Sequence, residues 1–133
     1  MDAVLQKLVR ERARFRCEYC LLPEALVSTP FQFDRIIAQF HDGPTVAENL
    51  AYACFHCNSF KGPNVAGVDP DTGEVNRLFH QRRDGHAEHF VWQEERIEGR
   101  TSVGRATVRT LRLNHPLRLV NRRSLRLEGV RFA

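Results

Sequence analysis

Two C-x₂-C pairs, Cys17-Glu18-Tyr19-Cys20 and Cys54-Phe55-His56-Cys57, use every cysteine of this 133-residue chain. Two residues between cysteines let both sulfurs of a pair reach one ion from a tight turn, and two such pairs complete a tetrahedral zinc set. A chain with that staple must bring positions 17–20 and 54–57 together, and the stretch between them has room for a strand, a loop and a second strand. Two disulfides or four free thiols are the alternatives; a redox C-x₂-C does not account for two copies. The start, Met1-Asp2-Ala3-Val4-Leu5-Gln6-Lys7, is charged and lacks the apolar core of a signal peptide. A reducing cytoplasm disfavours disulfides, so the expectation is one structural zinc in a cytoplasmic protein. No apolar stretch approaches the roughly 18 residues of a membrane span.

Charge is unevenly placed. Residues 1–99 carry 11 basic and 15 acidic side chains, whereas residues 100–133 carry nine arginines against Glu128 alone. Of the 20 basic residues 18 are arginine, whose planar guanidinium makes bidentate contacts to phosphate. A basic end of this kind favours a polyanionic partner; a solvated helix face is the plainer reading. The length suits one domain, with a core at about 15–62 and a basic helical extension at about 100–133.

Asp2 can cap a first helix through about Arg14, with Val4, Leu5, Leu8 and Val9 on one face. Pro23 and Pro30 bracket a loop. Phe31 to Ile37 reads as a strand, Asp42-Gly43-Pro44-Thr45 as a turn, and Leu50 to Ala53 as a second strand. The second cysteine pair opens a short helix, about Phe55 to Lys61, ended by Gly62-Pro63. Asp69-Pro70-Asp71-Thr72-Gly73 reads as a turn, and residues 75–80 and 88–98 as small strands, the latter turning at Glu94-Glu95. Thr101 or Ser102 can start a helix through about Leu113. Asn114-His115-Pro116 breaks it, and Pro116 can open a last helix. There Arg118, Arg122 and Arg126 share one stripe.

A strand–loop–strand–helix held between two cysteine knuckles resembles the HNH endonuclease family, whose core is the ββα-metal finger. Phe33-Asp34-Arg35-Ile36-Ile37 is similar to its strand ending in Asp-His-Ile. His41-Asp42-Gly43-Pro44-Thr45 is similar to its His-Gly-Gly turn, Glu48-Asn49-Leu50-Ala51 to its Asn-Leu-Ala segment, and Cys57-Asn58-Ser59-Phe60-Lys61-Gly62 to its Cys-Asn-x-x-Lys-Gly helix. Leu78-Phe79, His89-Phe90, Gly104-Arg105-Ala106-Thr107-Val108 and Leu113-Asn114 resemble one bacterial subgroup, so the likeness runs over about residues 9–123. It implies an α+β fold: a ββα-metal core stapled by a four-cysteine zinc site, with flanking helices and a small C-terminal β-hairpin.

The resemblance also implies a chemistry. Asp34 and Asn58 would hold one divalent ion, Mg²⁺ or Mn²⁺, both offering hard oxygen ligands. Asn49 would brace the catalytic loop. Lys61, Arg105, Arg118, Arg122 and Arg126 would contact phosphates of double-stranded DNA. His41 and His89 match family positions near the site, His56 is expected exposed or bonded to a zinc sulfur, and His80, His86 and His115 are expected at the surface. One member departs. Arg35 stands where the family has its catalytic histidine, and a guanidinium, with a pKa above about 12, cannot accept a proton from water. Gln81 and His86 also depart, where the family often has proline and tryptophan. Two functions therefore stand side by side. One is a metal-dependent endonuclease with His41 or a metal-bound hydroxide as substitute base. The other is a zinc-stapled nucleic-acid-binding module with a degenerate centre. Arg35→His is expected to restore the missing proton acceptor.

Overall fold

The computed structural model describes residues 1–132 and divides them into two compact units. Met1–Val65 with His80–Arg83 form the first, and residues 66–79 with those from Asp84 onward form the second.

In the first unit, helix α1 (Ala3–Arg12) begins at Asp2, whose Oδ1 accepts from the Leu5 amide at 2.7 Å. Its buried line runs through Val9 rather than through all four expected apolar residues: Val4 is 79% exposed and Leu8 is also exposed. Helix α1 packs on the second strand, and Val9 is its one buried residue. Arg12 donates to the carbonyls of Ala47 at 2.7 Å and Leu50 at 2.5 Å, so a cation anchors the helix where the apolar pattern calls for a further leucine. Strand β1 (Gln32–Arg35) pairs antiparallel with β2 (Leu50–Ala53), in register Gln32↔Ala53 to Arg35↔Leu50. Strand β1 is shorter than the sequence suggests, and Ile37 beyond it is exposed. Tyr52 packs against Phe31 and Phe33, with ring centroids 5.2 and 5.4 Å away. Helix α2 (Phe55–Lys61) starts on the second cysteine pair and ends at Gly62, whose φ of 52° suits a residue without a Cβ.

The second unit holds two hairpins: β3 (Ala66–Val68) with β4 (Val75–Arg77), and β5 (Phe90–Gln93) with β6 (Arg96–Gly99). A short helix, α3 (His86–His89), leads into β5; the strand expected over 88–98 therefore starts two residues later. Helix α4 (Ser102–Thr110) is capped by Thr101, whose hydroxyl accepts from the Gly104 amide at 3.0 Å, and packs on β3, β4 and β6. A Cβ on Gly104 would lie 2.1 Å from the His89 carbonyl oxygen, so only glycine lets α4 approach that closely. Helix α5 (Pro116–Leu127) opens with Pro116 after the His115 cap. The architecture is α+β, with small antiparallel sheets, flanking helices and a four-cysteine cluster.

Candidate functional site

Cys17, Cys20, Cys54 and Cys57 are buried, unbridged, and have all their sulfurs within 4.8 Å of one another. Cys20 Sγ and Cys54 Sγ stand 3.8 Å apart. A disulfide needs about 2.05 Å, whereas a tetrahedron of Zn–S bonds of about 2.3 Å has edges of about 3.8 Å. Backbone amides of Cys20 and Cys57 point at Cys17 Sγ and Cys54 Sγ, each at 3.5 Å, as negatively charged sulfurs require. Burial pushes the Cys17 and Cys57 thiols well above their ordinary value, a penalty that a divalent ion in the centre offsets. The four cysteines are positioned to bind a metal ion, and the donor set suits structural zinc.

The knuckle residues between the cysteines do more than make a turn, and sequence reasoning missed them. Glu18 donates its amide to the Tyr52 carbonyl at 2.8 Å, accepts from the Tyr52 amide at 3.0 Å, and pairs with Arg82. Tyr19 is wholly buried, and its hydroxyl donates to Asp34 Oδ2 at 3.0 Å. Burial first, then the Asp34 charge, raises that phenol well above its ordinary value. The signal available was slight: two polar-capable residues at the inner positions of a knuckle.

Asp34 sits on β1 and is 5% exposed. Its Oδ1 receives the Lys61 ammonium at 3.4 Å, and the same ammonium donates to the Arg35 carbonyl at 3.1 Å. Burial raises the Asp34 carboxyl above its ordinary value, against the opposing pull of Lys61 and the Tyr19 hydrogen bond. Lys61, expected to face phosphate, is 1% exposed and turned inward. Asn58 lies on α2, one turn before Lys61, and is half-buried.

These residues do not fit the divalent ion that the resemblance implies between Asp34 and Asn58. Both carboxylate oxygens are engaged by protein donors, one of them a cation, and a second cation beside a buried ammonium is repelled.

Arg35 points to the other face of β1, where its Nε donates to Thr45 Oγ1 at 3.0 Å. Asn49 is buried, and its amide pairs like a strand residue with Ile37. Oδ1 accepts from the Ile37 amide at 2.9 Å, and Nδ2 donates to the carbonyls of Ile37 at 2.9 Å and Pro44 at 2.8 Å. Gly43 seals that loop, since a Cβ there would lie 1.6 Å from the Ile37 carbonyl oxygen. His41 is exposed at the end of a single 3-10 turn, Gln39–His41, beside Phe40, which is 85% exposed.

The other histidines lie elsewhere. His56 is exposed against Phe55. His89, in the second unit, is held by Thr101 Oγ1 at 2.6 Å and by Asp84 at 3.6 Å. His86 is packed rather than a surface residue, 4.7 Å from the Phe90 ring centroid, and His115 caps α5 with its ring accepting from the Leu117 amide. His80 is half-buried and its Nδ1 accepts from the Arg82 amide.

The arginine stripe expected to face phosphate turns inward as well. Arg118 and Arg122 are buried. Arg118 donates to the Leu111 carbonyl at 3.1 Å, and Arg122 to the carbonyls of Leu113 at 2.6 Å and Glu95 at 2.8 Å. The carbonyls left over at the end of α4 thus take their donors from α5. Arg126 pairs with Glu95 at 3.4 Å. Arg105 clasps Asp69 through Nε and Nη2 at 3.0 and 2.9 Å and reaches Asp71 at 3.2 Å. Exposed arginines of this unit include Arg109 and Arg123.

A family model described as HNH endonuclease matches residues 17–64, the span from the first knuckle to just past α2. No curated protein and no solved structure matches the chain. No helix among the described residues is long and apolar enough to cross a membrane.

Proposed function

We propose that this chain binds the phosphodiester backbone of double-stranded DNA and hydrolyses it slowly at most; the match of residues 17–64 to a family model described as HNH endonuclease supports nuclease-type chemistry on nucleic acid. The observation that carries the reading is the state of the ββα centre. Asp34 is held by Tyr19 and Lys61, and Arg35, at the position where the resemblance puts a histidine base, is a guanidinium bonded to Thr45. Phosphate contacts come from exposed arginines such as Arg109 and Arg123, since Lys61, Arg105, Arg118, Arg122 and Arg126 already have internal partners. Structural zinc is the resident metal of this reading, and the protein works as a soluble cytoplasmic one.

A positioned general base contributes about 10²–10⁴-fold. Arg35→His supplies an imidazole but leaves Asp34 bound to Lys61, so its gain falls short of that range. A second reading, an active endonuclease with His41 as base, is favoured by one observation: His41 is exposed on the loop that Asn49 braces. Binding of a labelled duplex across a salt series tests the first claim. Affinity falls steeply with salt and varies little between sequences if backbone contacts dominate. No binding at low salt would refute the proposal.

A further inference from the structure

The Lys61 ammonium touches the Asp34 carboxylate at 3.4 Å and the Arg35 carbonyl at 3.1 Å. One anionic and one carbonyl oxygen from the end of a single strand are ligands of the kind a hard cation takes. Helix α2 delivers the amine there from its last turn, and Lys61 is 1% exposed. The remaining carboxylate oxygen is closed by the Tyr19 hydroxyl at 3.0 Å. The carboxylate is therefore neutralised from inside the chain. The same helix that carries Asn58 carries the charge that does it.

We infer that Lys61 is a tethered cation that holds the divalent-ion position at the junction of β1 and α2, so that this chain keeps the junction's geometry without Mg²⁺ or Mn²⁺. The inference rests on the HNH reading of the site and extends it, because it assigns the ion's place to a side chain and names the group that excludes the ion. A like charge within about 4–6 Å shifts proton binding by about one to three powers of ten. A divalent ion feels twice the charge. Removing the ammonium is therefore expected to raise Mn²⁺ affinity at Asp34 by about 100-fold or more.

The experiment is Mn²⁺ titration of the zinc-loaded full chain. Free Mn²⁺ is read by electron paramagnetic resonance, and the binding site by paramagnetic broadening of amide signals. The natural chain is expected to show no broadening centred on residues 33–36 and 58–61 at millimolar Mn²⁺. Lys61→Met is expected to take up one Mn²⁺ per chain with broadening centred there, and adding Asp34→Asn is expected to abolish it. Lys61→Gln, which keeps donors but no charge, carries the same arm where the methionine variant does not fold.

One Mn²⁺ bound at Asp34 in the natural chain would overturn the inference. So would a folded, zinc-containing Lys61→Gln variant that takes up none. Duplex binding is measured separately. Its loss would remove the functional reading and leave the Mn²⁺ result standing.

Discussion

Asp34, Lys61 and Tyr19 form a buried polar triad whose members come from β1, α2 and the first cysteine knuckle. Breaking a buried ion pair by removing one partner leaves the other charge desolvated and costs about 3–5 kcal/mol. Lys61→Met is expected to lower unfolding stability in urea by about that amount, and the Lys61→Met, Asp34→Asn double change by less than the sum of the two single changes. Additive losses would mean the pair is not coupled. Asp69 offers a pH test in the second unit. The Arg105 guanidinium, hydrogen-bonded to it, holds its carboxyl down at about 2, against an ordinary 3.8. A carboxyl depressed in the folded state contributes stability above its ordinary value, and that contribution is lost as pH falls from about 4 through about 2. Asp69→Asn is expected to flatten the acid limb of stability over that window, and an unchanged limb would show the clasp to be inert. Neither partnership was legible in the sequence, because each joins residues far apart along the chain. Arg35 was legible, since a departure inside a dense motif stands out against its neighbours.

Among the elements, β2 and α2 were read to the residue. Cysteines bracket their junction, Gly62 ends the helix, and four consecutive apolar positions make a fully buried strand. Helix α1 was read at its cap but not on its buried face. Periodicity counts Val4 and Leu8 as apolar yet cannot show that Arg12 is the residue whose carbonyl partners orient the helix. Helix α5 reverses the usual pattern. Its arginines Arg118 and Arg122 are buried, while Leu117, Val120 and Leu127 are exposed. An i, i+4 arginine stripe beside a helix break is compatible with phosphate contacts or with capping the preceding helix, and only the fold decides between them. Arg122→Ala removes charge-assisted hydrogen bonds worth about 1.5–3 kcal/mol each, so melting of the second unit is expected to come earlier. Arg109→Ala with Arg123→Ala is expected to leave melting unchanged and to lower the log K versus log salt slope by about 0.9 per lost phosphate contact. The reverse pattern would return the stripe to the proposed phosphate-contacting surface.

At the scale of the whole chain, the staple dominates the first unit. Its sulfurs join the segment before β1 to the start of α2, and Tyr19 and Glu18 tie the same knuckle to Asp34 and to Tyr52. Structural zinc sites typically supply about 10 kcal/mol or more of folding free energy. Zinc removal by a strong chelator is therefore expected to abolish amide protection across residues 17–62, and Cys54→Ser to do the same without chelator. Protection that survives either treatment would place the stability of this unit elsewhere.

The central proposal is that a centre similar to that of the HNH endonucleases keeps that family's frame with a changed chemistry. Its most direct test is a time course of supercoiled plasmid with saturating zinc-loaded chain and Mn²⁺ or Mg²⁺ at low salt, resolved on a gel. The plasmid is expected to be retarded while the protein is present and to remain supercoiled once the protein is stripped. Rapid conversion to the open circle by the natural chain, absent in Asp34→Asn, would contradict the account.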